Sequence, residues 1–179
     1  MTDRASLLSA LRNYKTIYDE EREYVSRFIE LLQHPRAYQR DHLPGHITGS
    51  SWIINNEGSK VLLVKHAALH KWLQPGGHAD GDENVFGVAL REANEETGLV
   101  NLEPVGSGFL DIDIHSIPER KDLSFPRHDH YDVRFLFQAD ETDPLLISDE
   151  STDLRWIELR DLEKFNPGTS ILRLRSKLV

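Results

Sequence analysis

The stretch that decides the fold runs from Gly77 to Leu99 and reads GHADGDENVFGVALREANEETGL. Its second half has the pattern of a helix over residues 84–97, and Gly98 stands where a left-handed residue ends a helix. At about 100° per residue, Glu92, Glu95 and Glu96 share an arc of about 100°. An adjoining stripe, suited to packing on a sheet, consists of Phe86, Ala89, Leu90, Ala93 and Thr97. We therefore expect the acidic stripe at the edge of a cleft.

The three glutamates repel one another unless solvent or a cation surrounds them. Each like-charged pair at these spacings costs roughly 0.2–0.5 kcal/mol in an isolated helix. A solvated acidic face is one interpretation of the stripe. The other is a site for Mg²⁺ or Mn²⁺, which prefer oxygen ligands on a rigid element. The Pro75-Gly76-Gly77 turn before the helix favours the metal site, because its backbone can approach a ligand closely and offers carbonyl oxygens.

The segments on either side of this stretch predict a mixed sheet covered by helices. Residues 46–55 and 60–66 are rich in β-branched and aromatic side chains and flank a turn sequence, which indicates a hairpin. Further strands are predicted over 105–114, 130–139 and 154–157, and closing helices over 160–165 and 169–178. Strands that alternate with single helices favour an α/β sandwich with a mixed sheet.

The N-terminal part of the chain has a different pattern. Residues 5–11 and 19–33 predict two helices, the second of them amphipathic, and neither carries a cluster of catalytic side chains. At 179 residues the chain is long enough for one domain with appendages. We interpret residues 1–42 as an N-terminal helical extension, either a cap on the domain or a subunit contact in a homodimer, and residues 43–179 as the domain itself.

Composition excludes several classes of function. The formal net charge is −9, without a basic stripe, which argues against binding to duplex nucleic acid. The chain contains no cysteine, so disulfides, thiolate nucleophiles and zinc–thiolate sites are excluded. Apolar runs are too short to cross a bilayer, and the first residues lack the pattern of a secretory signal. We expect a cytoplasmic protein without membrane contact.

Residues 77–99 closely resemble a complete Nudix box, whose pattern is G-x5-E-x7-R-E-U-x-E-E-x-G-U with U an apolar residue. Every specified position matches, with Ala93 as the first U. The resemblance implies a Nudix-type α/β/α sandwich and a divalent cation, Mg²⁺ or Mn²⁺, as cofactor. It also implies the metal ligands, which are Glu83, Glu92, Glu95, Glu96 and the carbonyl of Gly77. The segments around Leu43–His46 and 111–121 make the chain more similar to bacterial Nudix members without an assigned substrate.

The resemblance implies hydrolysis of a nucleoside diphosphate linked to another moiety, a small-molecule substrate. A bound dication neutralises the diphosphate and positions the attacking water, and a carboxylate must accept the proton of that water. Glu96 within the box and Glu150 in the loop before the late strand are both candidates for this base. Glu95 is also a predicted catalytic residue, because loss of its charge would weaken metal binding and so reduce catalysis.

A second polar cluster follows from strand alternation. Asp111, Asp113 and His115 fall on one face of their strand, and His130, Asp132 and Arg134 group in the same way on the next. One interpretation is a substrate-binding wall, and the other is a solvated face of an antiparallel pair. The predicted substrate-binding residues are His78, Asp113, His115, Lys121, His130 and Arg134.

Two other functions compete with hydrolysis. Isopentenyl diphosphate isomerisation on the same fold relies, by resemblance, on a cysteine, and this chain has none. A non-catalytic Nudix-like module that senses a nucleotide is typical of degenerate boxes, whereas this box is intact.

Overall fold

A mixed sheet organises the chain. The computed structural model describes residues 3–119 and 126–178, and in them eight strands form one sheet. The strands are β1 (Gly45–Asn55), β2 (Lys60–His66), β3 (Trp72–Leu73), β4 (Gly76–His78), β5 (Glu103–Pro104), β6 (Asp111–Ile117), β7 (His128–Ala139) and β8 (Ser151–Glu158). The helices are α1 (Arg4–Asn13), α2 (Asp19–Leu31), α3 (Val85–Thr97), α4 (Leu162–Phe165) and α5 (Thr169–Ser176).

Strand β1 is the centre of the sheet. The path through the sheet is β3-β2-β1-β7-β5, and β4, β6 and β8 pair with β1, β7 and β2. The predicted hairpin is confirmed, since β1 and β2 are antiparallel with Ile53 opposite Leu62. Strands β1 and β7 run parallel over their whole length, from Gly45 opposite Asp129 to Asn55 opposite Ala139. The sheet is therefore mixed, as predicted.

Helix α3 lies directly on β1. The Asn84 side chain caps the helix by accepting from the Gly87 N–H at 3.1 Å, and Gly98 ends it with a φ of 75°. A Cβ at Gly49 would lie 2.8 Å from the Val85 carbonyl oxygen, so this glycine allows the helix its close approach. The Ser51 hydroxyl also donates to the Ala89 carbonyl at 2.8 Å. These contacts fix the helix that carries the box glutamates.

The N-terminal helices α1 and α2 precede the strands of the sheet and pack on it. Leu7, Leu11 and Phe28 are almost fully buried in the same apolar core as Ile47 and Ile112 of the sheet. On the other side of the sheet a second apolar cluster joins α4 and α5 to the strands, with Trp52, Leu63, Ile157, Leu162 and Leu174 among its members. Helices thus cover both faces of the sheet, as the predicted sandwich requires.

One predicted strand is wrong in its bounds. The expected strand over 105–114 is replaced by the short β5 and by β6, which begins at Asp111. The segment between them contains Gly106, with a φ of 84°, and Gly108. The apolar residues of this segment predicted one continuous strand. Glycine weakens a strand and adopts other backbone conformations at low steric cost, so the strand is interrupted at these two positions. Among the helices of residues 3–119 and 126–178, none is both long and apolar enough to cross a lipid bilayer.

Candidate active site

The box glutamates meet the Gly76-Gly77 backbone. Strand β4 pairs with β1, with Gly77 opposite Gly49, and α3 packs beside it. Oε1 of Glu96 accepts a hydrogen bond from the Gly76 N–H at 3.0 Å. A Cβ on Gly77 would lie 2.5 Å from Oε2 and 2.7 Å from Oε1 of Glu92, so only glycine leaves room for that carboxylate. Two glutamates one helical turn apart therefore converge on two adjacent glycines.

Burial and mutual repulsion make this cluster unfavourable for several negative charges at once. Burial raises the pKa of Glu92, although Arg91 opposes the shift. Burial also raises the pKa of Glu96 to about 7, and the charges of Glu92 and Glu150 add to the effect. Arg91 lies 2.8 Å from Oε1 of Glu92 and 3.5 Å from Oε2 of Glu95. One arginine thus faces several carboxylates, an arrangement that a bound cation stabilises.

Glu83 has a different partner. The Arg4 side chain donates to its Oε1 at 2.9 Å, and the Arg4 backbone N–H donates to its Oε2 at 3.2 Å. The same guanidinium donates to the carbonyls of Leu32 and His34. The first helix and the end of the second therefore hold the loop that leads into α3. The structure places the Glu83 carboxylate against the N-terminal extension, and its role as a metal ligand stays a prediction.

Glu95 and Glu150 are the solvent-facing members of the predicted catalytic set. The Glu95 side chain is 60% exposed and lies at the edge of the Arg91 pair. Glu150 is exposed, and its carbonyl accepts from the Ala67 N–H at 2.9 Å, which anchors the loop before β8. Because the Glu150 charge raises the pKa of both Glu92 and Glu96, its carboxylate acts on the same cluster.

The polar cluster on β6 and β7 is a buried ion network. The Arg134 guanidinium donates to Asp132 at 2.9 Å, to Asp113 at 3.0 Å and to Asp111 at 3.3 Å, and its side chain is 3% exposed. Arg173 of α5 pairs with Asp111 at 2.8 Å and with Asp113 at 3.1 Å. Burial alone would raise the pKa of Asp113, but Arg134 and its other partners lower it well below the usual range.

This burial corrects the interpretations of the cluster. The solvated-face alternative is wrong, because Asp111, Asp113, Asp132 and Arg134 are all buried. The predicted contact of Arg134 and Asp113 with substrate gains no support either, since both side chains are already paired with each other. Lys121, the remaining charged residue of the predicted wall, lies outside the described residues.

The predicted histidines of this region, His78, His115 and His130, form a row together with His46. His46, His78, His115 and His130 extend across one sheet face, with neighbouring ring centroids 4.9–5.4 Å apart. Burial lowers the pKa of His46 and of His78 to about 4, and that of His130 to about 2. His115 lies nearer solvent, and its Nδ1 is 3.2 Å from Oδ2 of Asp113. Near pH 7 the rings of His46, His78 and His130 are therefore neutral.

Sequence reasoning missed two of the residues that build this region. His46 was not among the predicted site residues, because its place beside His130 depends on the parallel pairing of β1 with β7. Arg173, which holds Asp111 and Asp113, lies in the predicted closing helix, to which the sequence assigned no functional residue. In both cases the sequence shows only the residue type. The contacts that place the residue in this region come from distant parts of the chain.

A family model described as the NUDIX domain matches residues 45–173. The chain belongs to the Nudix family. The matched region contains the whole box and excludes α1 and α2. The family is one of pyrophosphohydrolases, and the homologues are hydrolases of phosphoanhydride bonds.

Relatives of this Nudix chain have varied substrates. A protein of Lactococcus lactis described as a probable DHNTP pyrophosphohydrolase is 25% identical over 135 residues, which cover 75% of this chain and 79% of the relative. The crystal structure of an Ap4A hydrolase binary complex from C. elegans matches with a TM-score of 0.60 at 20% identity, over 74% of this chain and 93% of that one. A NUDIX-family hydrolase from Clostridium perfringens matches with a TM-score of 0.59 at 23% identity, over 74% and 95% of the two chains. At these identities the structural matches establish the fold.

Proposed function

We propose that this Nudix protein is a Mg²⁺- or Mn²⁺-dependent hydrolase that cleaves the diphosphate bond of a nucleoside diphosphate linked to another moiety. The observation that carries the proposal is the convergence of the Glu92 and Glu96 carboxylates on the Gly76-Gly77 backbone. Gly77 leaves room for the Glu92 carboxylate, and Gly76 donates its N–H to Glu96, so the turn gathers two negative charges that apolar side chains at the same helix positions would avoid.

The side chains and backbone of the glutamate cluster fit a small divalent cation that prefers oxygen ligands. The donor set consists of oxygen atoms alone, from Glu92, Glu95 and Glu96 and from the Gly77 carbonyl, which is the preference of Mg²⁺ and Mn²⁺. Burial already raises the pKa of Glu92 and Glu96, so a cation there would relieve a cost that the fold imposes. When bound, such an ion neutralises the diphosphate oxygens and lowers the pKa of a water molecule. Glu83 joins this set only if it leaves Arg4.

The chain's own residues supply positioning and proton transfer. Arg91 orients the glutamates: it pairs with Glu92 and donates to the His78 carbonyl at 3.3 Å, which links α3 to β4. Two carboxylates are candidates to accept the proton of the attacking water. Glu96 has one oxygen engaged by Gly76 and the other available, and Glu150 approaches the cluster from the loop before β8. The Glu150→Gln variant distinguishes them, since near-normal turnover would leave Glu96 as the base.

A substrate panel tests the proposed function. We would incubate the protein with Mg²⁺ or Mn²⁺ and with ADP-sugars, CDP-alcohols, dinucleoside polyphosphates, NADH and nucleoside triphosphates, and identify the products by mass. The expected result is cleavage of at least one compound into two phosphorylated products, with turnover reduced on the order of 10²-fold or more in Glu95→Gln. Binding of a nucleotide without any product would support the sensor alternative and overturn the proposal.

A further inference from the structure

Strand register brings three histidines together at one end of the sheet. His46 of β1 is directly opposite His130 of the parallel strand β7. On the other side of β1, His78 of β4 is opposite Thr48, which is two residues beyond His46 and so on the same face. The three rings therefore meet over the start of β1, with centroids 4.9–5.2 Å apart.

Hydrogen bonds around His46 and His130 fix which nitrogen of each ring carries the lone pair. Nδ1 of His46 lies 3.4 Å from the His42 carbonyl, which can only accept, so Nδ1 carries the proton and Nε2 the lone pair. His46 is fully buried, and its Nε2 has no hydrogen-bond partner. A buried acceptor left without a partner costs about 1–3 kcal/mol, so this atom calls for an explanation.

The neighbouring His128 determines which nitrogen of the His130 ring carries the proton. Nδ1 of His128 donates to the Pro126 carbonyl at 2.9 Å, which leaves Nε2 of His128 as an acceptor. Nε2 of His130 lies 3.3 Å from that atom and donates to it, so the lone pair of the His130 ring is on Nδ1. A backbone carbonyl that accepts from one ring nitrogen, as the His42 carbonyl does for His46, is a usual support of a metal-binding imidazole.

We propose that His46, His78 and His130 bind a divalent transition-metal ion, with Zn²⁺ as the preferred class, at a site distinct from the box carboxylates. One ligand nitrogen of each ring lies within 4.8 Å of the other two. Zn–N bonds of about 2.0–2.1 Å in a tetrahedron require nitrogens about 3.4 Å apart, so the rings need to close by about 1.4 Å at most. Imidazole nitrogens suit Zn²⁺, whereas Mg²⁺ prefers oxygen, so the two sites select different metals.

Such an ion would hold three strands together and leave one coordination position open. Its ligands come from the starts of β1 and β7 and from the end of β4, which joins the box loop. His78 directly follows Gly77, and its carbonyl accepts from Arg91 at 3.3 Å. One ligand of the proposed ion is therefore itself a residue of the box loop, and three protein ligands leave a fourth position for water or a substrate oxygen.

Cobalt titration tests this site without relying on activity. Co²⁺ in a four-coordinate nitrogen site gives strong visible absorption, and oxygen-rich six-coordinate sites give little. We expect wild type to develop these bands with one equivalent of Co²⁺, to lose them on addition of Zn²⁺, and to keep them in Glu92→Gln/Glu96→Gln. His78→Gln and His130→Gln should weaken Co²⁺ binding at least 10-fold. His115→Gln, from the same histidine row but outside the triad, is the matched control and should bind as wild type.

Several outcomes would overturn the site. Wild type that develops no visible bands, or bands that survive in His78→Gln, would exclude the three histidines as ligands. Bands lost in Glu92→Gln/Glu96→Gln would assign the ion to the box instead. Circular dichroism of each variant checks the fold, and the wild-type titration with Zn²⁺ competition decides the question even if a histidine variant does not fold.

Discussion

Replacing Gly77 by alanine separates the function of the glycine turn from its structural role. The new Cβ would lie 2.5 Å from Oε2 of Glu92, whereas ordinary contact begins at 3.4 Å, so the Glu92 carboxylate must move by about 1 Å. Gly77 is not among the residues with positive φ, and the obstructing group is the end of a flexible side chain. Stability should therefore change by less than about 1 kcal/mol, since alanine also restricts the unfolded chain.

Activity should respond much more strongly than stability. A displacement of about 1 Å in a catalytic constellation costs on the order of 10²-fold in rate. We would measure kcat/KM on the best substrate of the panel, alongside the midpoint of thermal unfolding. Gly108→Ala is the matched control, because a Cβ there meets nothing within 4 Å. Wild-type kcat/KM in Gly77→Ala, or an equal loss in Gly108→Ala, would refute the placement of Glu92 in the site.

Three further predictions follow from the charged groups. Glu96→Gln should lower turnover on the order of 10²-fold or more with an unchanged circular dichroism spectrum, and near-normal turnover would remove Glu96 from the site. Arg134→Met should lower the free energy of unfolding in urea by about 3–5 kcal/mol, because three buried aspartates lose a shared partner, and unchanged stability would contradict the network. Without added metal, His46 and His78 should each lower the free energy of unfolding as the pH drops from 6.5 to about 4, by up to about 1.4 kcal/mol per pH unit, because these rings bind protons more readily when unfolded. Glu96, whose pKa is raised, contributes the opposite slope in the same range, so the test is the difference between wild type and His78→Gln in urea unfolding at several pH values. The fall should be smaller in His78→Gln, and identical pH profiles of the two proteins would contradict the prediction.

Local patterns predicted most of the fold. Helical spacing located α2 and α3, Gly98 marked the end of the box helix, and the turn sequence at Asn55–Gly58 located the first hairpin. Each of these signals depends on neighbours in sequence. The strand predicted over 105–114 failed because apolar residues continue across two glycines that interrupt the backbone.

Long-range pairing was the part that the sequence left undetermined. Alternation placed Asp113 and Arg134 on polar strand faces, but only the covering helix α5 shows that this face is buried. In the same way, His46 joins His130 through a parallel pair of strands separated by more than 70 residues, for which no local pattern exists. The box glutamates were found because their chemistry is concentrated in one helix and one turn.

Manganese binding directly tests the proposed divalent-metal site at the Gly76-Gly77 turn. We would titrate wild type, Glu96→Gln and His78→Gln with Mn²⁺ by calorimetry in the presence of a nucleoside diphosphate. We expect uptake by wild type and His78→Gln, and at least 10-fold weaker uptake by Glu96→Gln, because the box carboxylates are the proposed oxygen ligands. No uptake by wild type, or equal uptake by Glu96→Gln, would contradict a divalent-metal site at the Gly76-Gly77 turn.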